Sequence, residues 1–159
     1  MRSSKFIVIV LMAVAVAAVS AQGSVTIQGT VAQKLELNLD FDGATIPLDL
    51  ETGGSTSIGT ATLISNLKGG YTITITSSNA GVLKSLDATN IDTIPYTFTF
   101  GGTSSIDLAS PYTLSLSGKT PKLGTVYAVS VEYDPLAALT DLLNADNYRD
   151  VITFAIAAP

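Results

Sequence analysis

"SVTIQGTVAQKLELNLDF", residues 24–41, alternates apolar and polar side chains for longer than an ordinary strand requires. From Val25 the odd positions read Val25, Ile27, Gly29, Val31, Gln33, Leu35, Leu37, Leu39 and Phe41. The even positions read Thr26, Gln28, Thr30, Ala32, Lys34, Glu36, Asn38 and Asp40. A period of two marks a strand with one buried face. Strands usually run about 5–6 residues, whereas this run, kept straight, would reach about 55 Å at roughly 3.3 Å per residue. A strand too long for its domain has two fates. It bends at a glycine or bulge and changes sheets, or its outer half leaves the domain and pairs with another molecule. Gly29 and Gln33 interrupt the apolar face, so the division falls near residues 32–34. It separates an arm, Val25–Val31, from a first domain strand, Leu35–Phe41.

What precedes the run is not expected to belong to the fold. Arg2 and Lys5 stand before the unbroken apolar stretch "FIVIVLMAVAVAAV", Phe6–Val19, and small residues follow at Val19–Ala21. This order predicts a secretory signal peptide over residues 1–21, cleaved after Ala21. A retained membrane anchor is the other reading, but 14 apolar residues fall short of the span of about 20 that a bilayer needs. The chain has no cysteine, which excludes a lipid-anchored bacterial lipoprotein and any disulfide. Of the eight Lys and Arg, removal of Arg2 and Lys5 leaves six against 13 Asp and Glu, a net charge near −7. No basic cluster is present, so no nucleic-acid partner is expected.

Downstream, short alternating stretches separated by Gly, Ser and Asn turns predict further strands. They are "IPLDLE" (46–51), "SIGTATLI" (57–64), "YTITITS" (71–77), "IPYTFTF" (94–100), "YTLSLS" (112–117), "TVYAVSVEY" (125–133) and "DVITFAIA" (150–157). The last aligns Ile152, Phe154 and Ile156 on one face. The pattern predicts an all-β, immunoglobulin-like antiparallel sandwich over residues 34–159, preceded by the arm at 22–33. One segment breaks the rhythm. In "YDPLAALTDLLNADN" (133–147), Asp134 can cap a helix with Pro135 at its first position, and Leu136, Leu139 and Leu143 fall at helical spacing. A short helix over 134–145, lying as a lid on one end of the sandwich, is expected.

Signs of catalysis are missing. Without His, Cys or Trp there is no Ser-His-Asp triad, Cys-His pair or zinc site built on His or Cys. Gly118-Lys119-Thr120 resembles the tail of a phosphate-binding loop, but Thr113 stands where the first glycine is required, and Pro121 follows at once. Asp40, Asp42, Gly43, Asp49 and Glu51 do not keep the spacing of a calcium loop, and no carboxylate pair stands out for glycoside hydrolysis. The chain is expected to be no enzyme and to hold no metal or cofactor.

Several of these stretches resemble a known family. Val25-x-Ile27-x-Gly29-x-Val31 resembles the donor strand of chaperone–usher pilins, alternating apolar residues around a glycine. "GGYTITITSSNAGVL" (69–83), "IPYTFTFGG" (94–102) and "NYRDVITFAI" (147–156) resemble the middle and closing strand of the archaic group that includes the spore coat protein U domain. The resemblance implies a sandwich missing its last strand. A periplasmic chaperone lends that strand until the arm of the next subunit replaces it, with an outer-membrane usher as further partner. It implies that Val25, Ile27, Gly29 and Val31 insert into a neighbouring subunit, and that Ile152, Phe154 and Ile156 border the receiving groove. The function implied is a structural fimbrial subunit that passes through the periplasm into an adhesive surface fibre, its host or surface receptor unspecified. The other reading is a self-complete secreted sandwich that binds carbohydrate or a surface partner. Against it stand the lack of Trp and the placement of most Tyr and Phe in step with the apolar face.

Overall fold

The computed structural model of the protein describes residues 25–159; the expected signal peptide, with residues 22–24 of the arm, lies outside them. Ten strands follow in chain order: β1 (Leu35–Leu39), β2 (Gly54–Ser65), β3 (Tyr71–Ser77), β4 (Val82–Ser85), β5 (Thr93–Phe100), β6 (Thr103–Ile106), β7 (Tyr112–Leu116), β8 (Thr125–Tyr133), β9 (Tyr148–Arg149) and β10 (Ile152–Ala157). Every pairing is antiparallel. One sheet runs β1-β2-β8-β5-β4-β9 with β6 against β5, and the other runs β10-β3-β7.

The alternation decides which atoms meet. Leu63 of β2, Ile73 and Ile75 of β3, Phe98 and Phe100 of β5 and Val129 of β8 are all fully buried, and both sheets contribute to this one core. Phe100 stacks on Tyr127 at 5.0 Å between ring centroids. The alternate threonines of β3, Thr72, Thr74 and Thr76, are half-buried on the opposite face. The result is the expected antiparallel sandwich.

A bulge between Ser57 and Gly59 interrupts the twelve residues of β2. Gly59 adopts φ +145°, and a Cβ there would collide with the Asp40 carboxylate. Asp40 is thereby free to accept from the Thr60 N–H and hydroxyl, each at 2.7 Å. This cross-strand clasp just beyond the end of β1 is one that any side chain at position 59 would break.

Three expectations change. The first domain strand, expected over Leu35–Phe41, ends at Leu39, and Val25–Lys34 is neither strand nor helix. Ile46, Leu48 and Leu50 are half-buried on one side as their spacing predicts, but 46–51 is not a strand. Pro47 has no N–H to give a ladder. Asp49 diverts the backbone into a turn, its carboxylate accepting from the N–H groups of Glu51 and Thr52. In 134–145 the helical part is a single 3-10 turn, Leu136–Ala138, and Asp134 does not cap it: the residue before the turn is Pro135, in extended conformation. Leu136 and Leu143 pack on the core while Leu142 is fully exposed. A helix this short is marginal by itself, and competing bonds win. Asn144, whose N–H a helix would give to Thr140 O, donates that N–H and its side-chain amide to Asp92, and Leu136 N–H, free in any first turn, goes to Leu50 O. The segment covers the core as an irregular strap.

Candidate functional site

Burial falls away at the edge strands β1, β10 and β7, whose inward residues are half-buried. Among the described residues β1 pairs with β2 alone and β10 with β3 alone, so each presents one unpaired edge. Leu37 of β1 is only half-buried, whereas its cross-strand partner Leu63 is completely buried. Phe154 of β10 is likewise half-buried beside a buried Ile75.

Between these edges lies an open groove of about 400 Å³, lined by Leu37, Asn38, Leu39, Asp42, Phe154 and Ile156. Phe154 is its centre, with ring centroids 5.6 Å from Phe41, 6.0 Å from Phe98 and 6.2 Å from Phe100. The groove wall is thus continuous with the core. Asp42 supplies its one ionisable group. Asn38 of β1 adds an amide to the lining, and Glu36 pairs with Lys34 at 3.1 Å.

The residues singled out in the sequence divide into two groups. Ile152, Phe154 and Ile156 share the inward face of β10. Val25, Ile27, Gly29 and Val31 lie on a stretch without secondary structure, and the three apolar side chains are 85, 91 and 84 % exposed. The opposite wall, Leu37 and Leu39, was not singled out; its signal is that Leu35–Phe41 shares the odd-numbered face.

β10 is anchored at its start by Asp150. Its carboxylate accepts from Tyr96 OH at 2.6 Å, from the Asn79 N–H at 3.0 Å and from the Ser77 hydroxyl. The Asn79 side-chain amide donates to Arg149 O at 2.9 Å. Burial, and then the Asp150 carboxylate beside it, hold the Tyr96 phenol far above its ordinary value of 10.0. This network ties the groove's β10 wall to β3 and β5.

Several other polar groups and carboxylates also serve structure. Gly118 sits at a bend with φ +78°, and Thr120 bonds to Ser65, its N–H to the carbonyl and its hydroxyl accepting the Ser65 N–H. No group of three potential metal ligands occurs among the described residues. Every Tyr and Phe among them is buried or half-buried, and none of their helices is long and apolar enough to cross a membrane. Bonds from the backbone N–H and then the hydroxyl of Thr60 hold Asp40 below its ordinary 3.8. The hydroxyl and then the N–H of Thr52 do the same for Asp49, and the Ser85 hydroxyl foremost for Asp146. A carboxyl depressed by folding stabilises above its unfolded pKa, and that contribution is lost as pH falls through the folded value. The melting temperature should therefore be flat above about pH 5 and fall below about pH 4. Asp40→Asn should reduce the slope of that decline, and an unchanged slope would show that the clasp does not contribute.

No protein-family model matches the chain, and a search of curated proteins gave no match.

Proposed function

We propose that the protein is a structural subunit of a surface fibre that assembles by donor-strand exchange, the arm of one copy filling the β1–β10 groove of the next. The observation that carries the reading is a complementarity. The groove is open, bounded by two unpaired strand edges and lined in part by Leu37, Leu39, Phe154 and Ile156, while Val25, Ile27 and Val31 are exposed on one set of alternate positions. A strand entering the groove can bond along both edges and lay alternate side chains on Phe154 and Leu37.

The energies favour it. Covering Val25, Ile27 and Val31 contributes roughly 5–9 kcal/mol before the entropy of association is counted. Gly29 suits a place where donor and groove backbones come close. An exposed apolar edge left uncovered is an aggregation hazard, which gives a periplasmic chaperone its part as temporary donor and an usher its part in exchange. Export to the periplasm and then to the cell surface belongs to the same reading, as does adhesion.

Size measurement tests this. The chain lacking residues 1–21, refolded without a chaperone, should form oligomers that withstand detergent at room temperature and separate on heating. A clean, stable monomer over about three decades of concentration would overturn the proposal, since a donor site of this energy would be occupied well within that range.

A further inference from the structure

Between the arm and β1 lie three residues, Ala32, Gln33 and Lys34, and Asn66 holds them extended. The Lys34 N–H donates to Asn66 Oδ1 at 2.7 Å, Asn66 Nδ2 donates to Ala32 O at 2.7 Å, and the Asn66 N–H donates to Lys34 O at 3.1 Å. These bonds carry the β1–β2 ladder past its last pair, Leu35 with Ser65.

The register shows what this prevents. If 32–34 became a three-residue hairpin loop, a common connection, the arm would fold back along the free edge of β1. Val31 would then stand opposite Leu35, Gly29 opposite Leu37, Ile27 opposite Leu39 and Val25 opposite Phe41. Each arm residue would share the inward face of β1, so the chain carries a donor matched to its own groove. A donor tethered by so short a linker acts at an effective concentration of about millimolar and would outcompete a second copy. A loop placed further back cannot substitute: with 29–31 as the loop, Val25 reaches only Leu35, and Gly23 falls opposite Leu37.

We propose that Asn66 is a positioning residue that keeps the subunit from closing on itself, and so reserves the arm for another copy. This rests on the donor-strand reading above. Asn66 does so by engaging, on the β2 side, the carbonyl of Ala32 and both backbone groups of Lys34, the groups a loop would have to release.

The test compares the wild type, Ile27→Asp, Asn66→Ala and Asn66→Ala/Lys34→Gly, each lacking residues 1–21 and refolded at one concentration. Glycine at position 34 supplies the left-handed residue that a three-residue hairpin loop prefers. Light scattering reads the size distribution, and hydrogen exchange reads protection of the amides from Val25 to Val31. The double variant should raise the monomer fraction about tenfold, the effect of losing two ordinary hydrogen bonds. In that monomer the arm amides should be protected, and adding Ile27→Asp should remove the protection. Suppose Ile27→Asp disassembles the wild type, yet the double variant keeps the wild-type size distribution or yields monomers with unprotected arms. The role of Asn66 is then overturned and donor-strand exchange stands. If Ile27→Asp leaves wild-type assembly intact, donor-strand exchange falls and the role of Asn66 with it.

Discussion

Deleting Gln22–Val31 should leave a domain that accepts a donor strand and cannot provide one. Added to the full chain, it should cap growing polymers and shorten them in proportion to its share. A peptide of the deleted sequence, supplied in trans, should stabilise the shortened domain as a bound ligand does. Point substitutions then ask which way the arm faces. Ile27→Asp removes an apolar side chain worth roughly 2–3 kcal/mol and places a carboxylate beside Leu37, Leu39 and Phe154, near the Asp42 carboxylate, at a further cost of at least about 2 kcal/mol. The assembly constant should fall by about three orders of magnitude. Thr26→Asp adds the same charge one residue away, on the face turned from the groove, and should change stability by less than about 0.5 kcal/mol. Equal effects at 26 and 27 would show that the arm does not enter the groove as a strand. If the deletion simply unfolds the domain, and the peptide does not restore it, the arm belongs to a closed sandwich.

Asp150→Ala should be the most damaging single substitution outside the apolar core. It removes the acceptor of four donors, Tyr96 OH, the Ser77 hydroxyl and the N–H groups of Asn79 and Val151. Tyr96 is 6 % exposed, so water cannot fully replace the lost bond. Hydrogen bonds to a charged acceptor contribute about 1.5–3 kcal/mol each, and leaving a buried donor unsatisfied costs a similar amount. Allowing for relaxation, Asp150→Ala should cost about 3–4 kcal/mol in urea unfolding. Tyr96→Phe removes one donor and leaves Asp150 its others, so it should cost about 1 kcal/mol. Because Asp150 anchors the strand that carries Phe154, Asp150→Ala should also weaken binding of the arm peptide. A stability within about 0.5 kcal/mol of wild type would show that the network is incidental.

Most of the sandwich is legible locally. β3, β5, β7, β8 and β10 fall where period-two alternation is strongest, because each buries one face and each such face needs an apolar residue at every second position. The same property makes Ile152, Phe154 and Ile156 readable as one surface. Alternation alone, however, does not make a strand. Ile46, Leu48 and Leu50 keep the period, but Pro47 and the Asp49 turn leave no ladder for them to join. Conversely, β9 is two residues, Tyr148–Arg149, defined by pairing with β4 and not by any pattern. The strap after Pro135 has helical spacing and forms only one 3-10 turn, and Asp92, remote in sequence, claims the Asn144 N–H that a helix would need.

By itself the sequence determined an antiparallel β-sandwich with inward residues that can be named, and an arm whose apolar face outruns the strand it precedes. These follow from side-chain spacing, which each segment carries within itself. Only the tertiary structure decided which strands stand at the sheet edges. That β1 and β10 each lack a second partner depends on the order in which strands of two sheets lie side by side, and no single strand encodes that order. The same holds for Leu37 facing Phe154 across the groove and for Asn66 reaching back to Ala32 and Lys34. Hydrogen bonds and burial at these places join residues far apart in the chain, and they form only once the sheets have packed.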